Sequence, residues 1–189
     1  LFDGSQSAIN AALDTLLYRA RQGSASDILT IDVHDLGNSG VGGVGVDRDS
    51  VTLLEAGTTI NQAPVNSVPG PQTFTPDSRS VTFGVVNRIS TFDVDAGGSN
   101  LRTTLVVNRG LIYLNTTAGL IFRNGGNGSS YLLFDGSLDA INSALLGMRY
   151  IPFSETTFDI LTIDVHDLGH AGAGGAKVDR DSVTLTLVS

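Results

Sequence analysis

Apolar and polar residues alternate along Ile28–Asp35, with Leu29, Ile31 and Val33 on one face and Thr30, Asp32 and His34 on the other. Successive side chains of a strand point to opposite faces, so this stretch predicts a half-buried β-strand. Ser50–Leu54 has the same period, with Val51 and Leu53 inward, and 160–167 and 182–188 read alike. Ser80–Val86, Ile89–Phe92, Leu101–Val107, Leu111–Asn115, Leu120–Phe122 and Tyr131–Phe134 are further strand candidates, short and separated by Gly, Asn and Pro. That rhythm predicts a sandwich of short strands. The period changes over Leu138–Leu146, where Ile141, Ala144 and Leu145 stand at i, i+3 and i+4 behind Ser137. A short helix capped by Ser137 and packed on the sandwich follows.

The pattern occurs twice. Residues 1–54 align with 133–186 at a constant offset of 132, and 33 of the 54 positions are identical. DILTIDVHDLG at Asp27–Gly37 recurs unbroken at Asp159–Gly169, and VDRDSVTL at Val46–Leu53 recurs at Val178–Leu185. This is tandem duplication. The second copy has a long leader, Thr58 to Tyr131, that the first lacks. The expected division is an incomplete first repeat (1–56), a Pro-rich linker and entry (57–76) and a complete second repeat (77–189). Four of the five prolines, Pro64, Pro69, Pro71 and Pro76, lie in the linker. The first copy's strands would then have exposed edges and a half-covered core. A neighbouring subunit, a preceding repeat or the long copy itself could cover them. The chain opens on Leu1 and not Met, which reads as processing, excision or a longer parent.

Composition narrows the partners. The formal net charge is −8, which repels phosphate backbones and argues against nucleic-acid binding and against a basic membrane-surface helix. No apolar run is long enough to span a bilayer. There is no cysteine, hence no disulfide, zinc-thiolate site or thiol nucleophile. Seventeen of the nineteen acids are Asp, and Gly stands at 23. Asp favours turns and oxygen-ligand metal sites, which again suits an all-β protein with long turns.

Two acidic groups are candidate calcium ligands. Asp35 ends one strand and Asp49 begins the next, both with inward parity, and Asp47 lies further out on that side. Carboxylates converging on one mouth repel unless a cation separates them, and an all-oxygen set suits Ca²⁺. Asp167, Asp179 and Asp181 repeat the arrangement. The second group is Asp93-Val94-Asp95-Ala96-Gly97-Gly98-Ser99-Asn100, where alternating carboxylates, a glycine turn and an amide can wrap one calcium.

NQAPV at Asn61–Val65, FDVDAGGSN at Phe92–Asn100, the Ser137–Tyr150 helix passage, and TIDVHDLG followed by DRDSVTL stand in an order that resembles the tandem cadherin-like repeats of bacterial surface adhesins. The likeness runs from Asn61 to the end and is partial before it. It implies a cadherin-like or Ig-like β-sandwich with one short helix per repeat. It also implies calcium near repeat junctions and a mechanical or adhesive role without catalysis. Carried over, the calcium ligands fall on Asp93, Asp95 and Asn100, and the strand-end acids on Asp35 and Asp167. Related repeats often read Asn-Asp-Ala-Pro at the linker, where this chain has Gln62.

Other motifs weigh less. Gly40, Gly42 and Gly45 satisfy G-x-G-x-x-G, but a strand follows where a dinucleotide site needs a helix. His34, His166 and His170 are read as surface histidines, with Asp32 and Asp164 beside the first two on the outward face. No G-x-S-x-G nucleophile turn occurs. Asn115-Thr-Thr and Asn127-Gly-Ser are N-glycosylation sequons. The expectation is a non-enzymatic extracellular module that stacks end to end in a surface filament or adhesin stalk. Its partners would be identical subunits or neighbouring repeats of a longer chain. The competing class is a module that binds carbohydrate or a protein receptor at the cell surface; the absence of Trp and only four Tyr weigh against sugar stacking.

Overall fold

A computed structural model describes residues 1–20, 26–37, 42–55 and 59–188. The chain divides into two compact units, Leu1–Thr58 and Thr59–Ser189. Both are built mainly of β-strands, with one short helix each.

The first unit holds helix α1 (Gln6–Asp14) and strands β1 (Ser26–His34) and β2 (Val46–Leu54). The strands form an antiparallel hairpin in which Ile31 stands opposite Asp49 and His34 opposite Val46. Ser5 caps α1 by accepting a hydrogen bond from the Ala8 N–H. The helix buries none of its residues.

The second unit begins with two three-residue strands, β3 (Val65–Ser67) and β4 (Gln72–Phe74), inside the segment expected as a linker. Phe74 is part of the core. Proline permits these strands because they are brief and lie at sheet margins, where fewer backbone donors are required. There follow β5 (Val81–Phe83), β6 (Ser90–Phe92), β7 (Leu101–Val106), β8 (Gly110–Tyr113), β9 (Leu120–Asn124) and β10 (Tyr131–Gly136). Helix α2 (Leu138–Leu145) leads into β11 (Met148–Pro152), β12 (Phe158–His166) and β13 (Val178–Leu187). The sheets are a six-stranded one ordered β4-β13-β12-β7-β10-β9, a three-stranded one ordered β5-β11-β8, and the pair β3-β6.

The larger sheets share one apolar core. Leu101, Leu105, Leu132, Phe134, Leu161, Ile163, Val183 and Leu185 come from the six-stranded sheet. Val81, Phe83, Ile112, Met148 and Tyr150 come from the three-stranded one. The arrangement is consistent with a β-sandwich. Ile141, Ala144 and Leu145 of α2 are buried as their spacing predicts. Tyr150 lies within the core, so its hydroxyl needs a partner, and it donates to the Asp159 carboxylate at 2.9 Å. Burial and that carboxylate push the Tyr150 phenol well above its ordinary range.

Duplication is visible bond by bond. Tyr18 donates to Asp27 as Tyr150 donates to Asp159, and Arg48 pairs with Asp32 as Arg180 pairs with Asp164. Burial is not repeated. Val183 is 1% exposed and its counterpart Val51 is 53% exposed. Among the described residues no helix is long and apolar enough to cross a membrane.

Candidate functional site

Duplicated strand-end aspartates organise the hairpin loops. Asp167 Oδ1 accepts from the N–H groups of Gly169 at 2.9 Å and Lys177 at 2.7 Å, tying both ends of the β12–β13 loop together. Asp35 Oδ1 accepts from Gly37 and Gly45 at 2.9 and 2.7 Å in the same way. The clamp holds Leu36 and Leu168 at φ of 58° and 60°, a conformation that non-glycine residues rarely adopt. Burial raises the Asp167 pKa, but the Lys177 and Gly169 amides, Asn61 and His166 outweigh it, and the net shift is downward. The two amides of its loop likewise lower Asp35. Gly40 of the G-x-G-x-x-G pattern lies outside the described residues.

Asp167 also joins the start of the second unit. Its Oδ2 accepts from Asn61 Nδ2 at 2.6 Å, and the same Nδ2 donates to the Gly175 carbonyl at 2.7 Å. Next along the chain, the Gln62 N–H donates to Asp95 Oδ2 at 2.8 Å. Asp93 Oδ1 accepts from the N–H groups of Asp95 and Ala96, both at 3.1 Å, and shapes the turn after β6. Asn61, Asp93, Asp95 and Asp167 therefore gather around the entry segment at 59–62.

Three oxygens in this group carry the electrostatic argument. Asn61 Oδ1, Asp93 Oδ2 and Asp95 Oδ1 are buried and accept no hydrogen bond. A buried acceptor without a partner is costly, and a buried carboxylate oxygen more so. Asp93 is 5% exposed. Burial, and then the facing Asp95 carboxylate, push its pKa above the ordinary range. An amide and two carboxylates with unused oxygens form the donor set that a hard cation takes. Among the described residues, no three Asp, Glu, His or Cys side chains close on one metal position. Asn61 and backbone carbonyls would have to complete the ligand set.

Exposure and strand register place the other expected ligands. Asn100 is exposed at the far end of the 93–100 turn. Asp49 and Asp181 sit within their strands, opposite Ile31 and Ile163, and not at the strand-end position that Asp35 and Asp167 occupy. Asp47 stands opposite Val33. Asp179 accepts from the Asn66 N–H at 2.6 Å, which ties β13 to β3. Asn61 was quoted in the sequence only as part of the linker motif. Its place beside Asp167 spans 106 positions and has no local signal.

Asp32 and Asp164 engage Arg48 and Arg180, while His166 Nδ1 accepts from the Leu168 N–H at 2.9 Å. Both sequon asparagines, Asn115 and Asn127, are exposed. Asn127 Oδ1 accepts from the Leu114 N–H at 2.7 Å.

No protein-family model matches the chain. No curated protein matches it. Among solved structures, one similar chain comes from the work described as the complete structure of manganese lipoxygenase of Gaeumannomyces graminis and partial structure of zonadhesin of Komagataella pastoris. It shares 12% identity over 87% of this chain and 58% of its own length, at a TM-score of 0.26.

Proposed function

We propose that this chain is a non-enzymatic structural module of the extracellular surface, a cadherin-like β-sandwich repeat that stacks end to end in a filament or adhesin stalk. The observation that supports it is the unequal duplication: one complete repeat carries a second back half whose apolar face is uncovered. Equivalent surfaces recurring along one chain are what a linear array uses. Electron microscopy of the native surface material is expected to show extended stalks or filaments of repeating particles. Single compact particles would overturn the stacking reading.

Calcium stiffens the repeat in this reading. Asn61, Asp93 and Asp95 would hold it together with backbone carbonyls, with Asn61 at the entry so that the ion ties the junction to the sandwich. Millimolar Ca²⁺ is expected to raise the melting temperature of the second unit. Saturation at about 100 times Kd stabilises by about 2.7 kcal/mol, roughly 5–10 °C for a unit of this size. Asp93→Asn combined with Asp95→Asn should abolish the response. With chelator present, Asp93→Asn alone should be no less stable than the unaltered chain, because it removes the charge of a buried carboxylate that faces another carboxylate. Scanning calorimetry with Ca²⁺ and with EGTA decides it. A calcium response that survives the double substitution would remove these residues from the site.

A further inference from the structure

We infer that the first unit is a docking site for one further front segment of the kind found at 59–132. A neighbouring repeat supplies it, and a strand like Leu101–Val106 adds antiparallel to the open edge of β1. The inference rests on the stacking reading and names what the neighbour delivers.

The internal copy is the template. β1 and β12 share the unbroken sequence DILTIDVH. β12 has a strand on each side, β13 and β7. Among the described residues β1 has β2 alone. Over Thr30–His34, the stretch equivalent to the part of β12 that pairs with β7, the backbone groups that point away from β2 face an edge that no described strand fills.

The face beneath that edge is apolar. Leu1, Phe2, Ile9, Leu13, Leu29 and Ile31 help line a groove of about 620 Å³ in the first unit. Five of their counterparts, Phe134, Ile141, Leu145, Leu161 and Ile163, are fully buried in the second unit's core.

Charge agrees with shape. Asp135, the counterpart of Asp3, is buried between Arg102 and Arg123, both from the front segment. The first unit has no residues equivalent to those arginines, and Asp3 is exposed. The bonds that a back half can make by itself, the Ser5 cap, Tyr18–Asp27 and Arg48–Asp32, are all present. The contacts made by the front segment have no counterpart. A docked segment would bring both apolar cover and an arginine pair to Asp3.

Within residues 1–189 the front segment at 59–132 pairs with the back half at 133–188, so the segment that docks on the first unit is a further copy of that front segment.

Shifting the β12–β7 register by 132 gives the docked register. Thr30 should stand opposite the donor's counterpart of Val106, Ile31 opposite that of Leu105, and His34 opposite that of Arg102. The test joins a second copy of residues 55–132 ahead of Leu1 in the otherwise unaltered full chain. Because Leu1 and Leu133 are equivalent, the junction reproduces the native sequence. Amide hydrogen exchange at 28–34 is expected to slow at least 100-fold, toward the level of 160–166 in the same molecule. The chain has no cysteine, so Thr30→Cys with Val106→Cys in the added copy should give one disulfide on mild oxidation, since antiparallel partners are close enough to bridge. Asp32→Cys with the same Val106→Cys should not. Unchanged exchange at 28–34 with 160–166 still protected overturns the inference, and so does a disulfide only in the shifted pair. Neither result touches the microscopy of native material, which alone decides the stacking reading.

Discussion

Phe134→Ala is expected to destabilise the second unit by about 3–5 kcal/mol, while Phe2→Ala costs the first unit less than about 0.5 kcal/mol. The two phenylalanines stand in the same pentapeptide, LFDGS, 132 positions apart. Local sequence is held constant, so the difference isolates packing. Phe134 is 0% exposed, and its ring lies 5.7 Å from that of Phe122 in a tilted pair. Removing it deletes the transfer free energy of the ring and leaves a cavity that the two sheets cannot close. Phe2 is 62% exposed, so its truncation removes little that was buried. For a domain of this size the loss at Phe134 should lower the melting temperature by roughly 10–20 °C. Urea unfolding of each variant, followed by near-UV circular dichroism, measures both. Equal costs would mean that Phe2 is buried in solution and that the first unit is already covered.

The same comparison shows what could be read from the sequence and what could not. The strands at 28–35, 101–107 and 160–167 were legible because period-two alternation records a buried face directly. The helix after Ser137 was legible from its cap and from Ile141, Ala144 and Leu145. The strands β3 and β4 were not. Four prolines made 61–76 look like a linker, and what makes Gln72–Phe74 a strand is parallel pairing with Leu185–Leu187, over 110 positions away. No local pattern records such a contact. β11 was absorbed into the helix passage, although Met148, Tyr150 and Pro152 alternate inward.

The candidate site divides the same way. Asp93 and Asp95 stand together because the D-x-D turn is local. Asp167 was marked by strand parity, and parity held: it is buried. Asp49 and Asp181 have that parity too, but the hairpin register sets them beside isoleucines within the strands. Parity gives the face of a strand, and only register gives the position along it. Asn61 lies next to Asp167 through the tertiary fold alone. The first unit shows the limit most plainly, since a sequence almost identical over its strands is buried in one place and exposed in the other.

The second large effect concerns Asp135. Its side chain is 4% exposed, with Arg102 Nε and Arg123 Nε each 2.8 Å from its oxygens. The Arg102 hydrogen bond lowers its pKa, and the Arg123 bond adds to this against the cost of burial. A carboxylate held below its unfolded value contributes stability above pH 4, and that contribution is lost as pH falls through the folded pKa. Arg102→Met with Arg123→Met reverses the sign. Burial then acts alone, the pKa rises above the unfolded value, and Asp135 withdraws stability as pH climbs past 4. At pH 7 the double variant is expected to lose about 3–5 kcal/mol, the cost of an unpaired buried charge. Near pH 4, where the unpaired carboxyl is protonated, most of that deficit should disappear. Adding Asp135→Asn should restore most of it at pH 7, since an amide fills the space without a charge. Urea unfolding of the three proteins at both pH values tests the account. A deficit equal at pH 4 and pH 7 would mean that the arginines act through packing of their side-chain stems and not through the Asp135 charge.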